Sequence, residues 1–223
     1  MSKKNGNKEE KIFNIITLGD SGVGKTSIIK RYLYRTFDEQ CLSTIGLSFG
    51  FQDVDIGNDK IVRLRLVDTA GQEKYKSLSK SYLKNADAVL YVFSYDKKKS
   101  FDLINNWFDF YEQNGNPNNV VQFLIGNKND VLNGEKNDVD KIEPKNIDEI
   151  KSKYKIKDYY SISAKTNCNI EKLFLDLAIE LEKNKKEEGP QQTKKLEDHY
   201  KNVEEKTKKK KKKNGCCSVG GDV

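Results

Sequence analysis

The chain has 223 residues, of which 41 are Lys or Arg and 34 are Asp or Glu, giving a net charge of +7. This length suits one α/β domain with tails and is too short for two sizeable cores. The segment 190–223 holds ten of the basic and five of the acidic residues, and so carries five of the seven net charges. Because the excess charge lies in a tail rather than on a folded face, a nucleic-acid-binding domain is not expected.

The two ends of the chain differ in composition from its middle. Residues 1–11 are rich in Lys, Asn and Glu and have no apolar core like that of a secretory signal, so they predict a disordered leader and a cytosolic setting. From about residue 183 the sequence becomes polar and of low complexity, which predicts a disordered tail over 183–223. One folded domain is therefore expected over 12–182. Its longest apolar stretch, 88–93, is too short to cross a bilayer.

Apolar runs and helical stripes alternate along the middle of the chain. Gly57, Asn58 and Asp59 separate two apolar runs and predict an antiparallel hairpin; the arginines at 63 and 65 predict one wet face on its second strand. Alternating strands and helices predict an α/β fold, with a mostly parallel six-stranded sheet, one antiparallel edge strand and helices on both faces. The predicted strands are 12–18, 49–56, 61–67, 88–95, 120–126 and 159–162, and the predicted helices follow residue 24 and occupy 100–114, 147–154 and 170–181.

Residues 19–26 have the sequence GDSGVGKT, which fits the phosphate-binding pattern G-x-x-x-x-G-K-[ST]. Its glycines let backbone N–H groups surround phosphate oxygens, with the dipole of the next helix behind them. Lys25 supplies charge to the β- and γ-phosphates, and Thr26 offers a hydroxyl to Mg²⁺. A plain glycine turn is the alternative, which the strand before and the helical stripe after disfavour. The predicted phosphate-site residues are Asp20, Ser21, Gly22, Val23, Gly24, Lys25, Thr26 and Ser27.

Two later segments indicate which base is bound. Asn127-Lys128-Asn129-Asp130 follows a predicted strand directly, at the sheet edge where open α/β folds bind ligands. Guanine presents N1–H and an amine side by side, which the Asp130 carboxylate can accept together, whereas adenine has no such pair. The stem of Lys128 can pack along the base. Ser163-Ala164-Lys165 follows the run 159–162, and the N–H of Ala164 can reach the guanine O6.

Two further segments predict the metal site and the attacking water. Asp68 ends the run 61–67, and its carboxylate suits Mg²⁺, directly or through a water. Gly71 allows a backbone N–H close to the γ-phosphate, and Gln72 can both donate and accept, as orienting a water requires. An exposed loop glutamine is the plainer alternative. Thr44, in the segment Ser43-Thr44-Ile45-Gly46, can bind Mg²⁺ while the γ-phosphate is present and release it afterwards.

Taken in order, GDSGVGKT, STIG, DTAGQE, NKND and SAK resemble the complete nucleotide-binding set of the Ras superfamily, over about residues 12–182. Ser-Thr-Ile-Gly, the Tyr95-Asp96 pair and a double cysteine near the carboxyl end are most similar to Rab proteins, regulators of vesicle traffic. The resemblance implies a single small G-protein P-loop domain that binds GTP or GDP with Mg²⁺ and hydrolyses GTP slowly. Two loops would pass between ordered and disordered states, and this change would be the output of the switch.

The resemblance also implies individual roles. Phe37 matches the aromatic that flanks guanine, and Gln72 the catalytic glutamine. Thr26, Thr44 and Asp68 match the magnesium ligands, and Thr44 and Gly71 the sensors of the γ-phosphate. The implied partners are effectors, an exchange factor, a GTPase-activating protein that supplies an arginine, and a lipid-extracting chaperone. The implied state is a monomer on the cytoplasmic face of an intracellular membrane, exchanging with cytosol.

Four residues depart from the family pattern. Cys41 stands in place of a common tyrosine, and Ser48 in place of an acidic residue. Val67 replaces a tryptophan and Tyr75 a phenylalanine, while the third aromatic of the usual effector surface, Phe49, is kept. These changes concern the switch and effector surface rather than the chemistry.

The tail contains six consecutive lysines, Lys208–Lys213, followed closely by Cys216 and Cys217. This combination predicts lipid attachment at the cysteines, reinforced by anionic lipids at about 1 kcal/mol per lysine. Six residues, Ser218–Val223, come after the cysteines, and the ending is not C-a-a-X. Geranylgeranylation is the first expectation, with palmitoylation, or a solvated tail without lipid, as alternatives.

Other functions stay open on the sequence alone. Cys41 and the altered switch surface are compatible with a GTP-binding module that does not cycle. The phosphate loop by itself also fits an adenine-nucleotide enzyme such as a small kinase. Nucleic-acid binding comes last because the positive charge lies in the lysine tail.

Overall fold

The computed structural model describes residues 12–39, 47–69, 81–133 and 142–185. Within these residues the strands are β1 (Ile12–Leu18), β2 (Leu47–Asp55), β3 (Ile61–Thr69), β4 (Ala88–Ser94), β5 (Val121–Asn127) and β6 (Asp158–Ser161). The helices are α1 (Lys25–Tyr34), α2 (Lys98–Asp102), α3 (Ile104–Asn114), α4 (Pro144–Lys153) and α5 (Ile170–Lys185). Two short 3₁₀ segments lie at Pro117–Asn119 and Asn129–Asn133. No helix of the described part combines the length and the apolar character that crossing a bilayer demands.

The six strands form one sheet in the order β2-β3-β1-β4-β5-β6. β2 pairs with β3 in antiparallel fashion, and the other neighbours are parallel. The prediction of a mostly parallel sheet with one antiparallel edge strand is confirmed. Since β1, β3, β4, β5 and β6 run in the same direction, their carboxyl ends meet at one edge of the sheet, where ligands of open α/β folds bind.

The sheet separates two apolar cores, as helices on both faces require. Alternate residues of β4 show the division: Leu90 and Val92 pack with α1 and α5 on one face, whereas Tyr91 and Phe93 pack with α3 and α4 on the other. All seven residues of β4 are buried. A strand covered on both faces needs a continuous apolar run, which is what the sequence of β4 provides.

The hairpin between β2 and β3 turns through three residues with positive φ: Gly57 at 82°, Asn58 at 55° and Asp59 at 54°. Gly, Asn and Asp tolerate this left-handed conformation better than other residues, so the predicted turn forms. The predicted wet face of β3 is correct at Arg63, which is half-exposed, and wrong at Arg65, which is 8% exposed. The guanidinium of Arg65 lies under aromatic rings that a single-strand pattern does not reveal.

The helix predicted over 100–114 is two helices, α2 and α3, joined at Leu103. The chain tightens there because the N–H of Asn106 donates to the carbonyl of Leu103, three residues back, at 3.0 Å. Phe101 and Ile104 remain on the core side of this join. The apolar spacing therefore predicted the buried face correctly but not the change in helical winding.

Candidate nucleotide-binding site

The predicted phosphate loop connects β1 to α1 at the carboxyl edge of the sheet. Gly19, Gly22 and Gly24 all have positive φ, at 146°, 80° and 94°. A side chain on Gly19 would meet the carbonyl oxygen of Val92 at 2.1 Å. The loop therefore has a shape that glycine permits and that other residues resist.

Three lysine ammonium groups bind four consecutive carbonyls of this loop. Lys25, which is buried, donates to Gly19 and Asp20 at 2.6 and 2.8 Å. Lys97 donates to Ser21 at 3.3 Å and Lys128 to Gly22 at 2.9 Å. These hydrogen bonds fix the loop backbone from Gly19 to Gly22.

Thr26, in the first turn of α1, and Asp68, near the end of β3, meet beside the loop. The Thr26 hydroxyl donates to the Asp68 carboxylate at 3.0 Å, and Asp68 is 3% exposed. Burial raises the pKa of Asp68, while the Thr26 hydrogen bond and the charges of Lys25 and Lys30 act against this rise. A hydroxyl and a carboxylate oxygen fit a hard cation such as Mg²⁺. The described residues contain no cluster of three or more His, Cys, Asp or Glu that offers another metal site.

Asn127, at the end of β5, joins the phosphate loop to the segment predicted to bind the base. Its amide nitrogen donates to the carbonyl of Val23 at 2.8 Å, and its amide oxygen accepts from the N–H of Ala164 at 3.2 Å. Asn127 is 1% exposed, so both contacts are shielded from water. A side chain on Gly24 would lie 2.3 Å from the same amide nitrogen. One buried amide therefore fixes the spacing of the two loops.

Lys128 and Asp96 form a charged pair over the phosphate loop. Lys128 has φ 62°, and its ammonium lies 2.7 Å from a carboxylate oxygen of Asp96. Burial opposes ionisation of Asp96, but the hydrogen bond and charge of Lys128 outweigh it and lower the pKa of Asp96. The sequence singled out Lys128 but not Asp96 or Lys97 as site residues. The signal that could have found Asp96 and Lys97 is their position shortly after the buried strand β4.

Asp130 and Ser163 approach each other from the loops after β5 and β6. The Ser163 hydroxyl donates to Asp130 at 2.5 Å and accepts from the N–H of Thr166 at 3.1 Å. The N–H of Asn129 donates to the carbonyl of Ile162 at 3.0 Å. These contacts orient the Asp130 carboxylate, which suits recognition of two adjacent donors.

Phe37 and Lys165 are the two remaining predicted base contacts. Phe37 is half-buried and packs against the core that contains α1 and α5. The ammonium of Lys165 pairs with Glu39 at 2.7 Å. The contacts of Asn127 and Ser163 bring the loops after β5 and β6 together beside the phosphate loop. Two of the predicted phosphate-site residues, Asp20 and Ser27, are half-buried.

Several predicted residues lie outside the described part of the chain. Thr44, Gly71, Gln72, Cys216 and Cys217 are among them, as are Cys41 and Tyr75. Of the remaining departures, Ser48 is exposed, as is the retained aromatic Phe49, whereas Val67 is fully buried in the core with α3 and α4. At position 67 a small apolar residue therefore fills the core rather than an effector surface.

The fold and the site together define a small G-protein, with a phosphate loop and a guanine-type base loop at one sheet edge. The sequence model of the Ras family matches residues 14–183. The chain belongs to the Ras family and is a Rab-like small GTPase, which binds GTP and GDP and hydrolyses GTP.

Similar proteins agree with this assignment. "GTP-binding protein yptV5" of Volvox carteri is 35% identical over 81% of this chain and 87% of its own length. "Ras-related protein Rab-7b" of Paramecium octaurelia is 34% identical over 81% and 86%. "Ras-related protein Rab7" of Glycine max is 35% identical over 75% and 81%. A GTP-binding module that does not cycle, and an adenine-nucleotide enzyme, are not favoured.

Proposed function

We propose that the chain is a GTP/GDP switch of vesicle traffic whose nucleotide spans the loops joined by Asn127. The phosphates lie on residues 20–27. The base lies between Phe37 and the residues Asn127, Lys128, Asp130, Ser163, Ala164 and Lys165. The observation that carries this proposal is the buried Asn127 amide, which touches Val23 on the phosphate side and Ala164 on the base side. Such a contact makes the two half-sites one rigid receptor, as a single ligand across both requires.

The proposed metal is Mg²⁺, held by Thr26, Asp68 and, while GTP is bound, Thr44. The 3.0 Å contact between Thr26 and buried Asp68 supports the first two ligands. A divalent cation held by these residues would neutralise the charge of the bound phosphates. The protein oxygens that hold it are a hydroxyl from α1 and a carboxylate from β3.

The proposed catalytic group is Gln72, which orients the attacking water, while the Gly71 N–H contacts the γ-phosphate. Phosphoryl transfer of this kind depends on positioning and charge stabilisation rather than on covalent intermediates. Intrinsic hydrolysis is expected on the order of 10⁻⁴ s⁻¹, rising ~10³–10⁵-fold when a partner supplies an arginine.

The proposed domain limits are a leader over 1–11, the GTPase domain over 12–182 and a tail over 183–223. We place the protein as a monomer on the cytoplasmic face of an intracellular membrane, exchanging with cytosol. Attachment would use lipid on Cys216 and Cys217 together with the six lysines before them. Effectors, an exchange factor, a GTPase-activating protein and a lipid-extracting chaperone are the proposed partners, by family.

Exchanging one base contact tests the binding site. Asp130→Asn removes the acceptor for two guanine donors and should weaken GDP binding about 10²–10⁴-fold. An asparagine amide can instead donate to the C2 carbonyl of xanthine, so binding of xanthosine diphosphate should improve. Titration with fluorescent nucleotides measures both, and Asp102→Asn, an exposed carboxylate on α2, is the matched control.

The same preparations test hydrolysis. Gln72→Leu should slow single-turnover hydrolysis of bound GTP and leave GDP affinity unchanged, because Gln72 acts on the water. If ATP displaced GDP at comparable concentration, or if Asp130→Asn bound GDP like the Asp102→Asn control, the proposed site would be wrong. A Gln72→Leu variant with the wild-type hydrolysis rate would contradict the switch.

A further inference from the structure

Arg31, on α1, contacts the predicted base loop although no sequence motif includes it. Its Nε donates to the carbonyl of Ala164 at 2.7 Å, and one terminal nitrogen donates to the carbonyl of Lys165 at 2.9 Å. The other terminal nitrogen donates to the carbonyl of Arg35 at 3.0 Å. The guanidinium also lies 5.6 Å from the centre of the Phe37 ring. One planar cation therefore joins α1, the segment after it and the base loop.

The two carbonyls that Arg31 bridges belong to consecutive residues, so their orientation is fixed as a pair. The N–H of Ala164 is held from the other side by Asn127 at 3.2 Å. Arginine spreads its donors over a rigid planar fork, which here reaches three carbonyls, whereas the donors of lysine all radiate from one nitrogen and cannot reproduce that geometry. Hydrogen bonds from a charged donor are also stronger than neutral ones. The backbone of Ala164 is thus clamped between Arg31 and Asn127.

A second link joins the same two segments at the surface. The ammonium of Lys165 lies 2.7 Å from the carboxylate of Glu39, and both side chains are exposed. The hydrogen bond that Lys165 donates to Glu39 raises the pKa of Lys165. Residues 35–39 lead from α1 toward the segment that contains Thr44, so this link connects the base loop with the start of a predicted switch.

We propose that Arg31 and the Glu39–Lys165 pair form a clasp between residues 35–39 and the base loop, and that opening of this clasp limits the release of GDP. The inference rests on the proposed function, because it takes the base to lie between Phe37 and Ala164–Lys165. A base enclosed in this way leaves only when the two segments separate. Arg31 is a positioning residue, because it sets where Phe37, Ala164 and Lys165 lie. Its own hydrogen bonds go to backbone carbonyls and not to the proposed nucleotide.

Release of fluorescent GDP from the full chain tests the clasp. Arg31→Ala should release GDP at least about tenfold faster than wild type, since it loses charged hydrogen bonds to both carbonyls. Arg31→Lys should be nearly as fast, because it keeps the charge but not the fork. The matched controls are Arg35→Ala and Arg35→Lys. Arg35 lies next to the same helix but pairs with Glu171 instead, so release should stay within about twofold of wild type.

Two further measurements separate positioning from mere stability. Single-turnover hydrolysis of bound GTP should be unchanged in Arg31→Lys, because Arg31 contacts neither the phosphate loop nor Asp68. Glu39→Gln should speed GDP release about two- to fivefold, the modest effect of an exposed ion pair. Because salt screens exposed ion pairs, it should speed GDP release from the wild-type chain. The same addition of salt should speed release less in Glu39→Gln, which lacks the pair.

The clasp is overturned if Arg31→Lys releases GDP at the wild-type rate, or if hydrolysis and melting temperature fall in parallel with faster release. It is also overturned if the Arg35 controls behave like the Arg31 variants. Failure of the proposed function would look different, because the wild-type chain itself would then not retain GDP.

Discussion

The glycines of the phosphate loop differ in what stands where a side chain would be. At Gly19 the obstacle is the backbone oxygen of Val92, 2.1 Å away, which the sheet holds in place. At Gly22 the nearest atom is the ammonium of Lys97, the end of a long side chain, 3.6 Å away. The pattern G-x-x-x-x-G-K-[ST] treats its glycines alike, but the structure assigns the first to strand packing.

Alanine substitutions at Gly19 and Gly57 separate backbone strain from steric clash. Both residues have positive φ, but an added Cβ at Gly57 meets nothing within 4 Å. Gly57→Ala should lower the free energy of unfolding by about 1–2 kcal/mol, the cost of the left-handed conformation. Gly19→Ala should cost about 3–5 kcal/mol because β4 must also move.

Urea unfolding of the GDP-loaded chain measures both variants. Equal losses of unfolding free energy at the two positions would show that Val92 moves aside easily and that the positive φ alone accounts for the cost.

The base site at the residue scale was partly predictable. Asp130 and Lys128 follow a strand that any apolar-run analysis finds, so their location at the sheet edge follows from sequence. The role of Arg31 could not be predicted from the sequence, because its partners, Ala164 and Lys165, lie more than 130 residues away along the chain. A helical arginine is ordinarily a solvated side chain, and only the packing of α1 beside the base loop gives it a second role.

At the scale of elements, the β2–β3 hairpin shows how two arginines on one strand face meet different surroundings. Arg63 forms two hydrogen bonds to Asp53 on β2, at 2.6 and 2.7 Å, in an exposed position. Arg65 lies with its guanidinium 4.5 Å from the ring centre of Phe49 and 5.9 Å from that of Tyr82. The first is a surface ion pair, whereas the second is covered by aromatic rings.

The Asp53–Arg63 pair predicts a small dependence of stability on pH. The hydrogen bond from Arg63 lowers the pKa of Asp53, so the ionised carboxylate is favoured in the folded state. The resulting stability is fully present above the ordinary aspartate value, about 3.9, and is lost as pH falls through the lower folded value. Because the pair is exposed, its size is about 0.2–1 kcal/mol.

Asp53→Asn should therefore destabilise the hairpin at neutral pH and make no difference once Asp53 is protonated. Denaturant unfolding at neutral and acid pH, with Asp55→Asn as a control on the same strand, measures the difference. A loss at acid pH as large as that at neutral pH would assign the effect to packing instead.

At the scale of the molecule, the parallel sheet brings together four segments that are distant in sequence. The ends of β1, β3, β5 and β6 supply the phosphate loop, Asp68, the Asn127–Asp130 segment and the Ser163–Lys165 segment. The sheet fixes the spacing of these four segments. The tail lysines and cysteines belong to none of these segments of the sequence, so their role is tested separately from nucleotide binding.

Replacing both tail cysteines tests the proposed attachment. Full-length protein from a eukaryotic host should sediment with phosphatidylserine-containing vesicles, and Cys216→Ser with Cys217→Ser should abolish this because the lysines alone give weak, salt-sensitive binding. GDP binding should be unaffected. Cys168→Ser, at an exposed cysteine of the folded domain, is the control. Unmodified Cys216 and Cys217 by mass spectrometry would contradict lipid attachment.

The sequence by itself determined the order of the strands and helices, the phosphate loop and the preference for guanine, because these depend on local patterns: apolar runs, glycines and a carboxylate after a strand. Tertiary structure decided the rest. It buried Arg65 under aromatic rings, placed Val67 in the core, and brought Lys97 and Asp96 to the phosphate loop. It also set Arg31 between two segments of the base site. Each of these depends on which distant residues become neighbours, and a linear pattern does not specify that.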